Sequence, residues 1–142
     1  MALWKDPVSP AQLNAFSKDT IGELLGIEIT EVGEDFVRAR MPVDSRTRQP
    51  YGLLHGGASV VLAESLGSLA GALVIAGSGA AVVGLDINAN HLRAVREGWV
   101  IGTARALHIG RSTHVWEIRI ENEGGALVCI SRLTLAVVAK VP

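Results

Sequence analysis

The chain has 142 residues and a mass of 14.9 kDa, room for one compact domain burying roughly two thirds of its unfolded surface. Apolar residues make up 49% against 19% charged, which excludes intrinsic disorder. With 13 basic and 14 acidic residues the net charge is −1, so no global field draws in nucleic acid or an anionic membrane. The one cysteine, Cys129, excludes an intramolecular disulfide and a Cys-rich metal site, and its apolar surroundings read as those of a packed thiol.

The N-terminal MALWKDPVSP lacks the apolar core of a signal peptide, and a cytoplasmic setting is expected. Ser9, Pro10 and Ala11 predict a short helix running to about Lys18, with proline in its first turn. Leu24–Val32 and Asp35–Val43 both read as strands, joined by Gly33-Glu34 in a tight hairpin. Residues 44–54, DSRTRQPYGLL, read as a long polar loop.

A long helix is expected from Gly57 to Ala76, apolar all round and therefore buried. The stretch Ser65–Leu85 carries no charge, but glycines at 67, 71, 77, 79 and 84 make it a poor membrane span. Four strands follow: Ala80–Leu92, Gly98–Ile109, Thr113–Glu121 and Ala126–Val138. In the third, His114, Trp116, Ile118 and Ile120 alternate onto one face. The order β-β-α-β-β-β-β implies an α+β domain with an antiparallel sheet curled around one helix.

Glu64 is the most informative residue, the only Asp, Glu, Lys or Arg between Arg48 and Asp86. A carboxylate in an apolar helix costs several kcal/mol unless paired or protonated, and such groups collect at functional sites. The plain alternative is a structural anchor or a helix-start carboxylate held by the macrodipole. His55-Gly56-Gly57 precedes the helix, where first-turn N–H groups are unsatisfied and can hold an oxyanion. Glu64 lies roughly 10 Å from that start, too far for both to reach one carbonyl within one chain. A two-fold dimer would join them.

Ser68 lies one turn beyond Glu64 and could hold a water, or bond back to its own helix. Gln49 in the polar loop could brace a substrate carbonyl. Asn88–Arg93 ends a strand with amides, an imidazole and a guanidinium. The HIGRSTH turn, residues 108–114, offers Gly110, Arg111, Ser112 and Thr113 for a phosphate, or is an ordinary hairpin turn. The four histidines show no metal-ligand spacing, and neither a nucleophile elbow nor a nucleotide fingerprint is present.

The stretches MPVDSRTRQPYGLLHGGASVVLAESLGS, VVGLDINANHLR and GRSTHVWEI resemble those of hotdog-fold acyl-CoA thioesterases. Within them the chain is similar to the branch that contains the 1,4-dihydroxy-2-naphthoyl-CoA, enterobactin-proofreading and Arthrobacter-type 4-hydroxybenzoyl-CoA thioesterases. The resemblance spans Leu13 to Val138. It implies a long helix wrapped by a six-stranded antiparallel sheet, paired into dimers and then a dimer of dimers. It implies acyl-CoA hydrolysis with no metal or other cofactor, coenzyme A being part of substrate and product.

By position, the resemblance makes Glu64 the nucleophile or general base and Gly56 the oxyanion donor. Gln49 and His55 stand around the thioester, with Ser68 as the hydroxyl one turn on. Gly84, His91, Arg93, His108, Gly110, Arg111 and Ser112 fall in substrate- or CoA-holding segments. Leu69, Ala72 and Leu73 are expected to line the acyl pocket. Two other activities stay open on the sequence: an enoyl-thioester hydratase and a non-catalytic acyl-CoA-binding module.

Overall fold

The computed structural model describes residues 2–142. Helix α1 (Pro10–Ala15) opens on Ser9, whose hydroxyl accepts from the Gln12 N–H while the Gln12 side chain accepts from the Ser9 N–H. This reciprocal cap fixes the start, and the helix ends three residues short of Lys18. Leu24–Val32 is not one strand. Its first residue closes a single helical turn, α2 (Ile21–Leu24), and β1 (Glu28–Val32) begins later. Gly26 is the physical reason. It sits at φ +74°, with its N–H donating to Glu23 O and the Ile27 N–H to Gly22 O, the paired bonds of a Schellman stop.

β1 turns back at Gly33 into β2 (Phe36–Pro42). Residues 44–54 then fold onto themselves instead of forming an open loop. The buried Thr47 hydroxyl donates to Pro42 O at 2.7 Å and accepts from the Asp44 N–H at 3.1 Å. Arg48 bridges to Leu54, and the Gln49 N–H donates to Leu53 O at 2.7 Å. The segment is a compact hairpin that delivers His55.

Helix α3 (Gly56–Val74) begins one residue earlier and ends two earlier than its composition suggests. Strands β3 (Ala81–His91), β4 (Trp99–Ile109), β5 (Thr113–Asn122) and β6 (Leu127–Val138) follow, each within a residue of the sequence expectation. All six strands form one antiparallel sheet in the order β1-β2-β4-β5-β6-β3, leaving β1 and β3 as edges. This is the hotdog arrangement.

The sheet packs against one side of α3. Leu62, Ala63, Leu66 and Ala70 are fully buried there, against Met41, Val100, Trp116, Ile118, Leu133 and Leu135. Each buried leucine or isoleucine contributes roughly 1.5–3 kcal/mol. The alternating face of β5 is confirmed: His114, Trp116, Ile118 and Ile120 are all buried. Glycines set how closely helix and sheet approach. A Cβ on residue 67 would lie 2.6 Å from Leu133 Cδ2, and one on residue 71 would lie 2.5 Å from Leu135 Cδ1.

Burial of α3 all round does not occur. Val61, Glu64, Ser65, Ser68 and Leu69 are only partly covered, and Ala72 is exposed. The sheet curls over one side of the helix and cannot reach the other. By length and composition α3 could cross a membrane, but half of it is buried within the protein. It is the core helix of the fold.

Candidate active site

The helix entry is built by hydrogen bonds from the preceding hairpin. The His55 N–H donates to Thr47 O at 2.7 Å, pinning residue 55 in an extended conformation as the N-cap. Its Nδ1 accepts from the Gly57 N–H at 2.8 Å, and its carbonyl accepts from Ala58 and Ser59. Among the described residues the Gly56 N–H, ahead of the first intrahelical bond, has no acceptor. That donor sits at the positive end of a 19-residue helix.

His91, the last residue of β3, lies over this turn. A Cβ on residue 56 would lie 2.7 Å from His91 Nε2, so glycine lets the imidazole approach the helix entry. Gln49 lies within the preceding hairpin, its amide oxygen accepting from the Tyr51 N–H.

Glu64 lies on the uncovered side of α3, two turns on. The enclosure expected from the apolar sequence is not found: the side chain is half-buried, and among the described residues it has no hydrogen-bond or ion-pair partner. Its carboxylate rests against Gly84 of β3. A Cβ there would stand 3.7 and 3.8 Å from the two oxygens, in ordinary contact. A bare backbone thus walls the carboxylate on one side and leaves it reachable. Ser68 shares this face, and its hydroxyl bonds to no helix carbonyl.

Along β3, Gly84 and His91 are seven residues apart, roughly 20 Å of extended chain. One chain therefore keeps two places apart, Glu64 with Gly84 and Gly56 with His91. The residues expected to line an acyl pocket also divide. Ala72 is exposed on the side of Ser68, whereas Leu69 is partly covered and packs against the core, and Leu73 is 8% exposed and buried in it.

The β4–β5 turn differs from the phosphate cradle considered for it. The Gly110 N–H is spent on Thr113 O at 2.8 Å, closing the turn. The His108 ring folds over Gly110, its Nε2 2.7 Å from where a Cβ would sit. What remains open is the exposed Arg111 and Ser112 side chains, with Arg93 exposed beyond the end of β3. Gly84, Leu135 and His114 are register partners, so this turn lies two strands from the Glu64 carboxylate.

Burial lowers the His114 pKa, with His108 nearby reinforcing the effect. Burial pushes the Cys129 thiol up, the state of an inert packed cysteine. Among the described residues no three His, Cys, Asp or Glu side chains come together as a metal site requires. Sequence reasoning missed that His55 caps the helix and that Thr47 anchors the entry. The Asp44-Ser45-Arg46-Thr47 spacing was the available signal for the second, since Thr47 bonds back to the Asp44 N–H.

A six-stranded antiparallel sheet curled over one long central helix is the hotdog architecture, the class of fold in which this carboxylate and helix entry are set. The thioesterase superfamily model matches residues 51–129, and the chain belongs to that family. It is 52% identical over 135 residues to 1,4-dihydroxy-2-naphthoyl-CoA hydrolase of Escherichia coli, covering 95% of this chain and 98% of the relative. The proofreading thioesterase EntH of Cronobacter turicensis matches with the same identity and coverage. A mutant of thioesterase PA1618 from Pseudomonas aeruginosa superposes with a TM-score of 0.94 at 55% identity, over 96% of this chain and 99% of that one. The chain is an acyl-CoA thioesterase.

Proposed function

We propose that the protein hydrolyses an aromatic acyl-CoA, with 1,4-dihydroxy-2-naphthoyl-CoA as the leading candidate. The Escherichia coli relative of that name supports the choice of acyl group. The observation that carries the chemistry is the unpartnered Glu64 carboxylate on the open face of α3, against Gly84. In this reading the thioester carbonyl accepts from the Gly56 N–H, a donor fixed before reaction begins. Either a Glu64 oxygen adds to the carbonyl carbon, or Glu64 takes a proton from a water that adds instead. The C–S bond then breaks and its electron pair leaves with the CoA thiolate. In the first route water cleaves the resulting anhydride at the acyl carbon and frees the Glu64 carboxylate; in the second, Glu64 passes its proton to the departing thiolate or to solvent.

Gln49, His55 and Ser68 surround the reacting group in this proposal. The exposed Ala72 and the partly covered Leu69 contact the acyl group, with Leu73 packed in the core. His91, Arg93 and the turn from His108 to Ser112 hold the CoA portion. The working unit is a homodimer, joined into a dimer of dimers, in a cytoplasmic setting. Two features support pairing. Strand β3 is an eleven-residue edge with Leu85 61% exposed, and α3 has a small-residue face that its own sheet leaves open.

The test is a hydrolysis panel of benzoyl-, dihydroxynaphthoyl- and aliphatic CoA esters, with free thiol as the readout. The proposal expects the highest kcat/KM on an aromatic ester. A clear preference for long aliphatic esters would overturn the aromatic assignment.

A further inference from the structure

One buried hydroxyl connects the sheet to the helix entry. Thr47 is 1% exposed, and its Oγ1 donates to Pro42 O at 2.7 Å while accepting from the Asp44 N–H at 3.1 Å. Pro42 ends β2 and is the register partner of Trp99 in β4, so this hydroxyl ties residue 47 to the sheet. The main-chain carbonyl of Thr47 accepts from the His55 N–H at 2.7 Å. His55 is the N-cap of α3, and the amide that follows it is the unspent Gly56 N–H. A chain of bonds thus runs from the end of β2, through one side chain, to the residue before Gly56.

We infer that Thr47 is a positioning residue for thioester hydrolysis, its hydroxyl setting where the Gly56 N–H stands relative to the thioester carbonyl. The inference rests on the reading of Gly56 as the oxyanion donor. Such a donor works by standing in place before charge develops, and a displacement of about 1 Å can cost on the order of 10²-fold in rate. The hairpin has a second tether, since the Leu54 N–H donates to Val95 O at 2.8 Å. Loss of the Thr47 hydroxyl therefore loosens the entry and leaves it attached. Threonine and valine share a shape, so Thr47→Val removes both side-chain bonds and keeps the packing.

Kinetics and amide exchange test this, on whichever ester of the hydrolysis panel the native enzyme turns over fastest. In Thr47→Val, kcat per folded molecule should fall by roughly 10–100-fold with KM within a few-fold of native. Thr47→Ser keeps the hydroxyl and should hold kcat within a few-fold of native. A residue that only stabilised the fold would change the folded fraction and leave kcat per folded molecule alone. The His55 amide should be protected from hydrogen exchange in the native enzyme and exchange faster in Thr47→Val. Unchanged His55 exchange in that variant overturns the inference and leaves the Gly56 reading standing. Faster exchange with native kcat also overturns it, and takes the Gly56 reading with it. Equal losses of kcat in Thr47→Val and Thr47→Ser overturn the role of the hydroxyl. Should Thr47→Val fail to fold, Thr47→Ala carries the same measurements, and an unprotected His55 amide in the native enzyme overturns the inference without any variant.

Discussion

The two sides of α3 are made from the same few residue types and do opposite work. The sheet-facing side, Leu62, Leu66 and Ala70, is fully buried and meets the strands at close range through Gly67 and Gly71. The other side, Val61, Glu64, Ser68 and Ala72, is small, half-open and carries the one charge of the helix. Hydropathy alone does not separate them. The difference teaches that an apolar helix around one carboxylate can be a packed core on one side and a waiting surface on the other. The carboxylate marks which side is which.

Substitutions on the two sides should separate cleanly, and the largest effect belongs to the open side. Glu64→Ala should lower kcat by roughly 10²–10⁴ with little change in the urea midpoint, because the side chain has no partner to lose. A stability loss with retained hydrolysis would reverse the assignment. Leu66→Ala, on the packed side, should cost about 2–5 kcal/mol of stability in urea titrations. Its kcat per folded molecule should stay within a few-fold of native. At the helix entry, His55→Ala removes the acceptor of the Gly57 N–H and should cost about 1 kcal/mol.

The smallest effect is a pH dependence on the packed side. His114 takes up its proton near pH 6.5 in the unfolded chain but only at lower pH in the fold, because burial and then His108 disfavour the charge. The unfolded state thus binds more protons below that point. Stability should be fully present above about pH 6.5 and be lost as pH falls through the lowered value. Replacing His114 with Gln should flatten the dependence in urea midpoints measured from pH 7.5 to 5. An unchanged slope would place its origin elsewhere.

Much of this was legible in the sequence, for local reasons. Period-two alternation from Thr113 to Glu121 marked β5 because one of its faces is buried, and Glu64 stood out because nothing nearby shared its charge. The readings that failed depended on geometry that composition does not record. Leu24 looked like strand until Gly26, at φ +74°, closed a helical turn around it. The Gly110 N–H looked available for an anion, but hairpin closure spends it on Thr113 O, whereas the Gly56 N–H precedes a helix and stays unspent. Half-burial of Glu64 was hidden for another reason. A helix that is apolar all round does not say which of its faces its own chain will cover.

The central claim is that each active site joins Glu64 of one chain to the Gly56 entry of another, since one chain keeps these groups apart. Subunit mixing tests it directly. Glu64→Ala removes the carboxylate, and Gly56→Pro removes the N–H at a first-turn position where proline is tolerated. The exposed His91 ring must swing aside for the proline, so that variant is first checked for native secondary structure and stability. Each variant alone should be nearly inactive. Refolded together, they should regain up to about one intact site per mixed dimer, as two-fold symmetry dictates. Mixed dimers that form and remain inactive would contradict the shared site and place both groups within one chain.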